Sequence, residues 1–201
     1  MQRWIFRGWL ADARHKVAYV APFLPPGARL LELGSGPGSV VQVLREKGYD
    51  VTPVDVQDLS FHPALRPVLY DGHRLPFPDQ SFDVVLVLTV LHHTPHPRRI
   101  VAEARRVGRA VVVIEDVYRH SIQNYLTRWT DSLVNLEFRG HPHQNHREAY
   151  WRQLFREEGL QLTHERSWRL AGLFRQTLFV LKAAPSASSA AGASRTGGKR
   201  A

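Results

Sequence analysis

The sequence predicts an α/β domain of parallel strands joined by helices, and three observations lead to that class. An apolar run from Arg29 to Leu33 ends in three alternating glycines, Gly34, Gly36 and Gly38, after which Val40, Val41, Val43 and Leu44 recur at helical spacing until Gly48. That order is strand, tight turn, helix. The runs within Asp79 to Leu91 and Arg109 to Glu115 are continuously rich in Val and Leu or Ile, as strands buried on both faces of a parallel sheet should be. Asp55 closes an apolar segment about twenty residues beyond the glycines, which in a parallel α/β unit puts a carboxylate at the strand's carboxyl edge beside the turn.

Taken in order, Gln2 to Ala21 mixes Trp4, Ile5, Trp9, Leu10, Val17 and Val20 with Arg3, Arg7, Asp12, Arg14 and Lys16, which suits one or two amphipathic helical turns interrupted at Gly8. A basic start bearing tryptophans also suits contact with a membrane surface. Pro22, Pro25 and Pro26 make a stiff connector into the first strand. The turn Gly34-Ser35-Gly36-Pro37-Gly38 lets the backbone approach a ligand, and the helix start behind it offers N–H groups to something polar or negative. Glu32 stands out here, because its carboxylate would repel a pyrophosphate on the turn and welcome an ammonium. Tyr49 to Val56 is the second strand, ending at Asp55, with Gln57 and Asp58 directly after it.

The pattern Glu32-x-Gly34-x-Gly36-x-Gly38, with Asp55 closing the next strand, resembles motif I and the following acidic residue of class I S-adenosylmethionine-dependent methyltransferases, in their small-molecule branch. The likeness runs from about Arg29 to Glu115 in the right element order, and weakly to Lys182. Dinucleotide-binding domains use G-x-G-x-x-G, whereas here glycine follows Pro37 at once. The resemblance implies a Rossmann-like, doubly wound sheet of seven strands, mostly parallel with the last strand antiparallel, and S-adenosylmethionine as cofactor. It implies cofactor contacts from Glu32, Gly34, Ser35, Gly36 and Gly38, from Asp55 at the ribose, and from Val56 and Leu88.

Pro67 to Tyr70 is a short third strand, and Tyr70 to Phe77 is similar to the family's third-strand segment. There an acid at the place of Asp71 takes the adenine amino group, and the backbone N–H of Gly72 suits the ring nitrogen. Leu91-His92-His93-Thr94-Pro95-His96-Pro97 is similar to the segment after the fourth strand, where His92 and His93 would lie beside the methyl group. A helix over Arg98 to Val107 and a fifth strand over Arg109 to Glu115 follow, with Glu115 and Asp116 at its carboxyl edge. Val117 to Tyr150 is too long and aromatic for a connector. Its apolar positions from Ile122 to Leu136 suit an amphipathic helix, and Gly140 with Pro142 would hold His141 and His143 in a bent loop over the acceptor. Arg147 to Glu158 resumes a helix, and Gln161 to Arg169 with Arg175 to Leu181 forms a terminal pair around Gly172. The expected organisation is one methyltransferase domain over 1–182, with an N-terminal helical cap over 1–28 and a substrate-side insertion over 117–150. A disordered basic tail over 183–201 completes it.

A chain of 201 residues with 43% hydrophobic content has room for one real core. It contains no cysteine, which removes disulfides and thiolate chemistry, and no apolar stretch near the ~20 residues of a membrane span. A cytoplasmic protein without a transmembrane segment is expected, its oligomeric state left open. The net charge of +9 falls to +6 without Arg195, Lys199 and Arg200 of the tail, and the remaining excess is arginine scattered along the chain. Nucleic acid is therefore kept as an alternative partner to a small-molecule acceptor. Against RNA, no Asn-Pro-Pro-Tyr tetrapeptide follows the fourth strand.

Methyl transfer from a sulfonium is an in-line displacement in which positioning and water exclusion carry much of the catalysis. A base helps where the acceptor is a hydroxyl, and His92, His93, His141 and His143 are the candidates. No metal is expected, because prolines interrupt the histidine clusters and no helix presents them at i, i+4. The expectation is methyl transfer to an oxygen, nitrogen or carbon of a small molecule; the alternatives are RNA methylation and a non-catalytic nucleotide- or partner-binding module of the same fold.

Overall fold

The computed structural model describes residues 2–117, 146–170 and 174–184. Seven strands form one sheet: β1 (Arg29–Leu33), β2 (Asp50–Asp55), β3 (Val68–Leu69), β4 (Phe82–Leu88), β5 (Gly108–Val117), β6 (Leu160–Leu170) and β7 (Phe174–Ala183). Their spatial order is β3-β2-β1-β4-β5-β7-β6. The first five are mutually parallel, and β7 runs antiparallel between β5 and β6, as the resemblance implied. The described helices are α1 (Gln2–Val20), α2 (Ser39–Glu46), α3 (Pro97–Val107) and α4 (Glu148–Glu157).

Alternation along each strand divides the core in two. Leu30 of β1, Val84 and Leu86 of β4, Val112 and Ile114 of β5, and Leu178 and Val180 of β7 pack with Val17 and Val20 of α1 and Val41 and Leu44 of α2. Leu31 and Leu33, Val85 and Val87, Val111 and Val113, and Phe179 and Leu181 pack on the other face with Val101 and Ala104 of α3 and Trp151, Leu154 and Phe155 of α4. The period of two in the strands and the helical stripes thus meet on both sides of one sheet.

The first helix differs from its sequence expectation. It is one continuous element of 19 residues that passes through Gly8 without a break. A Cβ built at Gly8 meets nothing within 4 Å, so glycine costs the helix only its intrinsic ~1 kcal/mol. Ala13, Val17 and Val20, each fully buried, anchor it over the sheet. The expected helix between Ile122 and Leu136, the turn at Gly172 and the tail from 185 onward lie outside the described residues.

Phe155 of α4 is 1% exposed and meets Phe179 of β7 edge to face, with centroids 5.3 Å apart. Phe155→Ala should lower the unfolding free energy by about 3–5 kcal/mol, seen as a lower urea midpoint at unchanged slope. A loss under about 1 kcal/mol would show that this face does not hold the sheet to α4.

Candidate functional site

Between β1 and β4 the sheet order reverses, so the chain leaves these neighbouring strands toward opposite faces and a crevice opens at their carboxyl ends. The glycine turn follows β1. Gly34 has φ +81, and a Cβ there would sit 2.5 Å from Cγ2 of Val90, the residue that leads out of the β4 end. Gly36 has φ +49 with nothing within 4 Å of an added Cβ, so its side opens into space. One glycine admits the protein and the other leaves room for a ligand.

The turn's amides are mostly committed within the protein. Gly34 and Ser35 both donate to the carbonyl of Val54 in β2, at 2.8 and 3.2 Å, and Gly38 donates to Ser35 O. The Gly36 N–H donates to Asp55 Oδ2 at 2.8 Å, and the Val56 N–H to Asp55 Oδ1 at 2.7 Å. The anion-accepting amides expected from the sequence are thus partly answered by the chain's own acid. Val56 is 57% exposed beside the turn, and its Cγ1 lies 3.6 Å from where a Cβ of Gly72 would be. The ends of β2 and β3 therefore share one rim. On it, Asp71 accepts from the N–H groups of His73 and Arg74, both at Oδ1, and these bonds hold its carboxyl below the usual range.

Glu32 points to the α1 and α2 face, where it is 3% exposed. Its Oε2 is buried without a partner. Burial pushes its pKa up to about 8 against the opposing pull of Lys16. Lys16 extends from α1 to donate to Thr89 Oγ1 at 3.0 Å and pairs with Asp12 at 2.8 Å. Thr89, just after β4, has φ 57, a strained value for a β-branched residue. Neither Lys16 nor Thr89 belongs to a sequence motif, which is why reading the sequence missed them. Leu88 is 6% exposed and part of the core on the α1 face.

After β4 the chain makes a single 3-10 turn, Leu91–His93. Glu115 of β5, fully buried, accepts at Oε1 from the amides of Val90 (2.9 Å) and Leu91 (2.6 Å), and at Oε2 it meets His92 Nδ1 at 2.6 Å. The His92 and His93 rings lie 4.0 Å apart. His146 bridges to Val117 and stacks on Tyr150 at 3.7 Å; its Nε2 is buried without a partner, and burial lowers its pKa. His141 and His143 lie outside the described residues. Among the described residues no group of three or more His, Cys, Asp or Glu could hold a metal ion, and no helix is long and apolar enough to cross a membrane.

The residues present suit S-adenosylmethionine. An unpaired buried carboxylate oxygen at Glu32 answers a cationic ligand, the open side of Gly36 admits its backbone approach, and Asp55 and Asp71 retain acceptor capacity for hydroxyl and amino donors.

Comparison with known proteins agrees with this chemistry. Residues 1–165 match the family described as "Methyltransferase domain". The chain is 27% identical over 127 residues to a phosphatidylethanolamine N-methyltransferase of Cereibacter sphaeroides, covering 53% of this chain and 62% of that protein. It is 34% identical over 122 residues to a ubiquinone biosynthesis O-methyltransferase of Idiomarina loihiensis, covering 55% and 49%. It therefore spans less than two thirds of the length of either relative. A SAM-dependent methyltransferase structure from Methanosarcina mazei superposes with a TM-score of 0.66 at 18% identity, covering 83% of this chain and 97% of that one, which shows the shared fold.

Raising the Glu32 pKa in the folded state makes folding take up a proton. The associated stability is fully present below the ordinary carboxyl value of 4.5 and is lost as pH rises through about 8. Glu32→Gln should therefore flatten the pH dependence of ligand-free stability across that window and gain on the parent protein at pH 8.5, which chemical denaturation at pH 5 and pH 8.5 measures. An unchanged slope would show that Glu32 is ionised in the folded chain.

Proposed function

The chain belongs to the class I S-adenosylmethionine-dependent methyltransferases, and from that premise we propose that it transfers the methyl group of S-adenosylmethionine to an oxygen, nitrogen or carbon of a small molecule. The observation that carries the reading is the crevice at the β1 and β4 ends, where the glycine turn, Asp55 and Asp71 stand on one rim and the unpartnered Glu32 oxygen lies below. When bound, the cofactor supplies a methyl group made electrophilic by a sulfonium.

In this reading Asp55 accepts from the ribose hydroxyls, with Val56 against the nucleoside. Asp71 takes the adenine amino group through its second oxygen, and the Gly72 N–H faces the ring. Glu32, near Lys16, answers the ammonium end, and Ser35, Gly36 and Gly38 line the turn. Leu88 contributes through its backbone, since its side chain belongs to the core. His92 and His93 stand on the acceptor side, with His141 and His143 proposed to reach in from the segment 117–150. The relatives named for N- and O-methylation support a small-molecule acceptor. A second reading, an RNA acceptor, draws on the net charge of +9.

Calorimetry should detect S-adenosylmethionine or S-adenosylhomocysteine, and Asp55→Ala should weaken either by about 1–3 kcal/mol as charge-assisted bonds are lost. No binding of either at millimolar concentration would sink the proposal, and NAD binding in their place would restore a dehydrogenase.

RNA affinity should be weak, fall steeply with salt and largely vanish when residues 183–201 are deleted. A tight, specific RNA complex that survives the deletion would favour the second reading.

A further inference from the structure

Glu115 carries more than a place at a strand end. It belongs to the β5 residues that face α3 and α4, and it is fully buried. Such a carboxylate is tolerated only when donors satisfy it, and here three converge: two consecutive amides, Val90 and Leu91, on one oxygen and His92 Nδ1 on the other. The two amides belong to the segment whose Val90 side chain fills the space beside Gly34. One side chain of β5 thus holds both the ring after β4 and the residue that packs on the glycine turn.

We propose that Glu115 is a positioning residue of the acceptor side: it fixes His92 as the Nδ1–H tautomer, with the Nε2 lone pair as proton acceptor, and holds the Val90–Leu91 segment against the glycine turn. The inference rests on the methyltransferase reading for its chemistry. A carboxylate can only accept, so the hydrogen between the two groups belongs to Nδ1, and in the neutral ring the lone pair is then on Nε2. As a hydroxyl acceptor forms its bond to the methyl carbon, the carbon–sulfur pair stays with sulfur and the hydroxyl proton passes to Nε2. The imidazolium so formed faces the Glu115 carboxylate at 2.6 Å, which offsets its charge without a rearrangement. Three other titratable groups stand close by. His93, the next residue of the chain, has its ring 4.0 Å from that of His92. His146, from the chain entering α4, is kept neutral by burial, and Asp116, the next residue of β5, has its carboxyl pushed up by burial. Among the described residues the donors to Glu115 are Val90, Leu91 and His92, and the Glu115 contact is what assigns the proton to Nδ1.

The test is nitrogen-15 NMR of the full chain labelled at histidine, with the His92 signal assigned by its disappearance in His92→Gln. The parent protein should show His92 protonated at Nδ1 and unprotonated at Nε2 between pH 7 and pH 8. Glu115→Gln keeps an oxygen for the two amides but turns an NH2 toward the ring, so the signal should switch to the Nε2–H form. Glu115→Ala removes the acceptor for Val90 and Leu91 and should weaken S-adenosylhomocysteine at least about tenfold. An Nε2–H tautomer in the parent, an unchanged tautomer in Glu115→Gln, or parental affinity in Glu115→Ala would each overturn the proposal. Should a variant fail to fold, the parent spectrum still decides the tautomer. A parent that shows the Nδ1–H form yet binds no S-adenosylhomocysteine would count against the methyltransferase reading and leave the Glu115 contact standing.

Discussion

In the crevice Val90 packs so closely on Gly34 that a Cβ there would overlap a methyl carbon at 2.5 Å. Glycine at that position lets the β4 exit pack directly on the β1 exit, and the rest of the site is built outward from the contact. Gly34 and Ser35 donate to Val54 O, which draws the end of β2 under the same turn. Asp55, one residue on, can then reach Gly36. Val90 is held from behind by Glu115, so four successive neighbours in the sheet, β2, β1, β4 and β5, meet at one point. A site supported this way is organised before a ligand arrives, which is what positioning catalysis requires.

Two buried glutamates sit on opposite faces of the sheet beneath this point and are treated differently. Glu115 has donors on both oxygens, from two amides and an imidazole. Glu32 has one oxygen buried without a partner, and burial raises its pKa to about 8. An unpaired buried carboxylate costs free energy unless it is protonated or meets a cation. Lys16 moderates the cost from α1, but its ammonium is engaged by Asp12 and Thr89. The deficit remains at Glu32, and a ligand cation would relieve it.

Much of this was legible in the sequence because it rests on local rules. The glycines marked the turn, the unbroken Val and Leu runs marked β4 and β5, and the spacing of Val40 to Leu44 marked α2. What local rules could not supply were interactions set by tertiary distance. Gly8 read as a break, yet α1 continues because Ala13, Val17 and Val20 are buried against the sheet. Glu115 was legible as an acid at a strand edge, but its partners are 23 to 25 residues away and on another strand's exit. Lys16 meets Thr89 across 73 residues, with no spacing to signal it. Asp71 read as an adenine acceptor, and the structure adds that its Oδ1 accepts from the amides of His73 and Arg74 in a local turn.

The same strand, turn and helix serve phosphate-binding proteins, and the choice between the two uses is decided by the acids placed around the turn. In a phosphate site the amides point outward to the anion. Here the Gly36 and Val56 amides are turned to Asp55. A pyrophosphate would have to displace these bonds and also sit beside the Asp55 carboxylate. Two like charges about 5 Å apart at an effective dielectric near 20 repel by roughly 3 kcal/mol. A ligand with a diol, an amino group and a positive charge would meet no such barrier, because the diol and the amino group would donate where the acids accept and the charge would face the carboxyl that lacks a partner. The selectivity proposed for this crevice therefore follows from where its backbone donors are already engaged, and the glycines make room for the ligand.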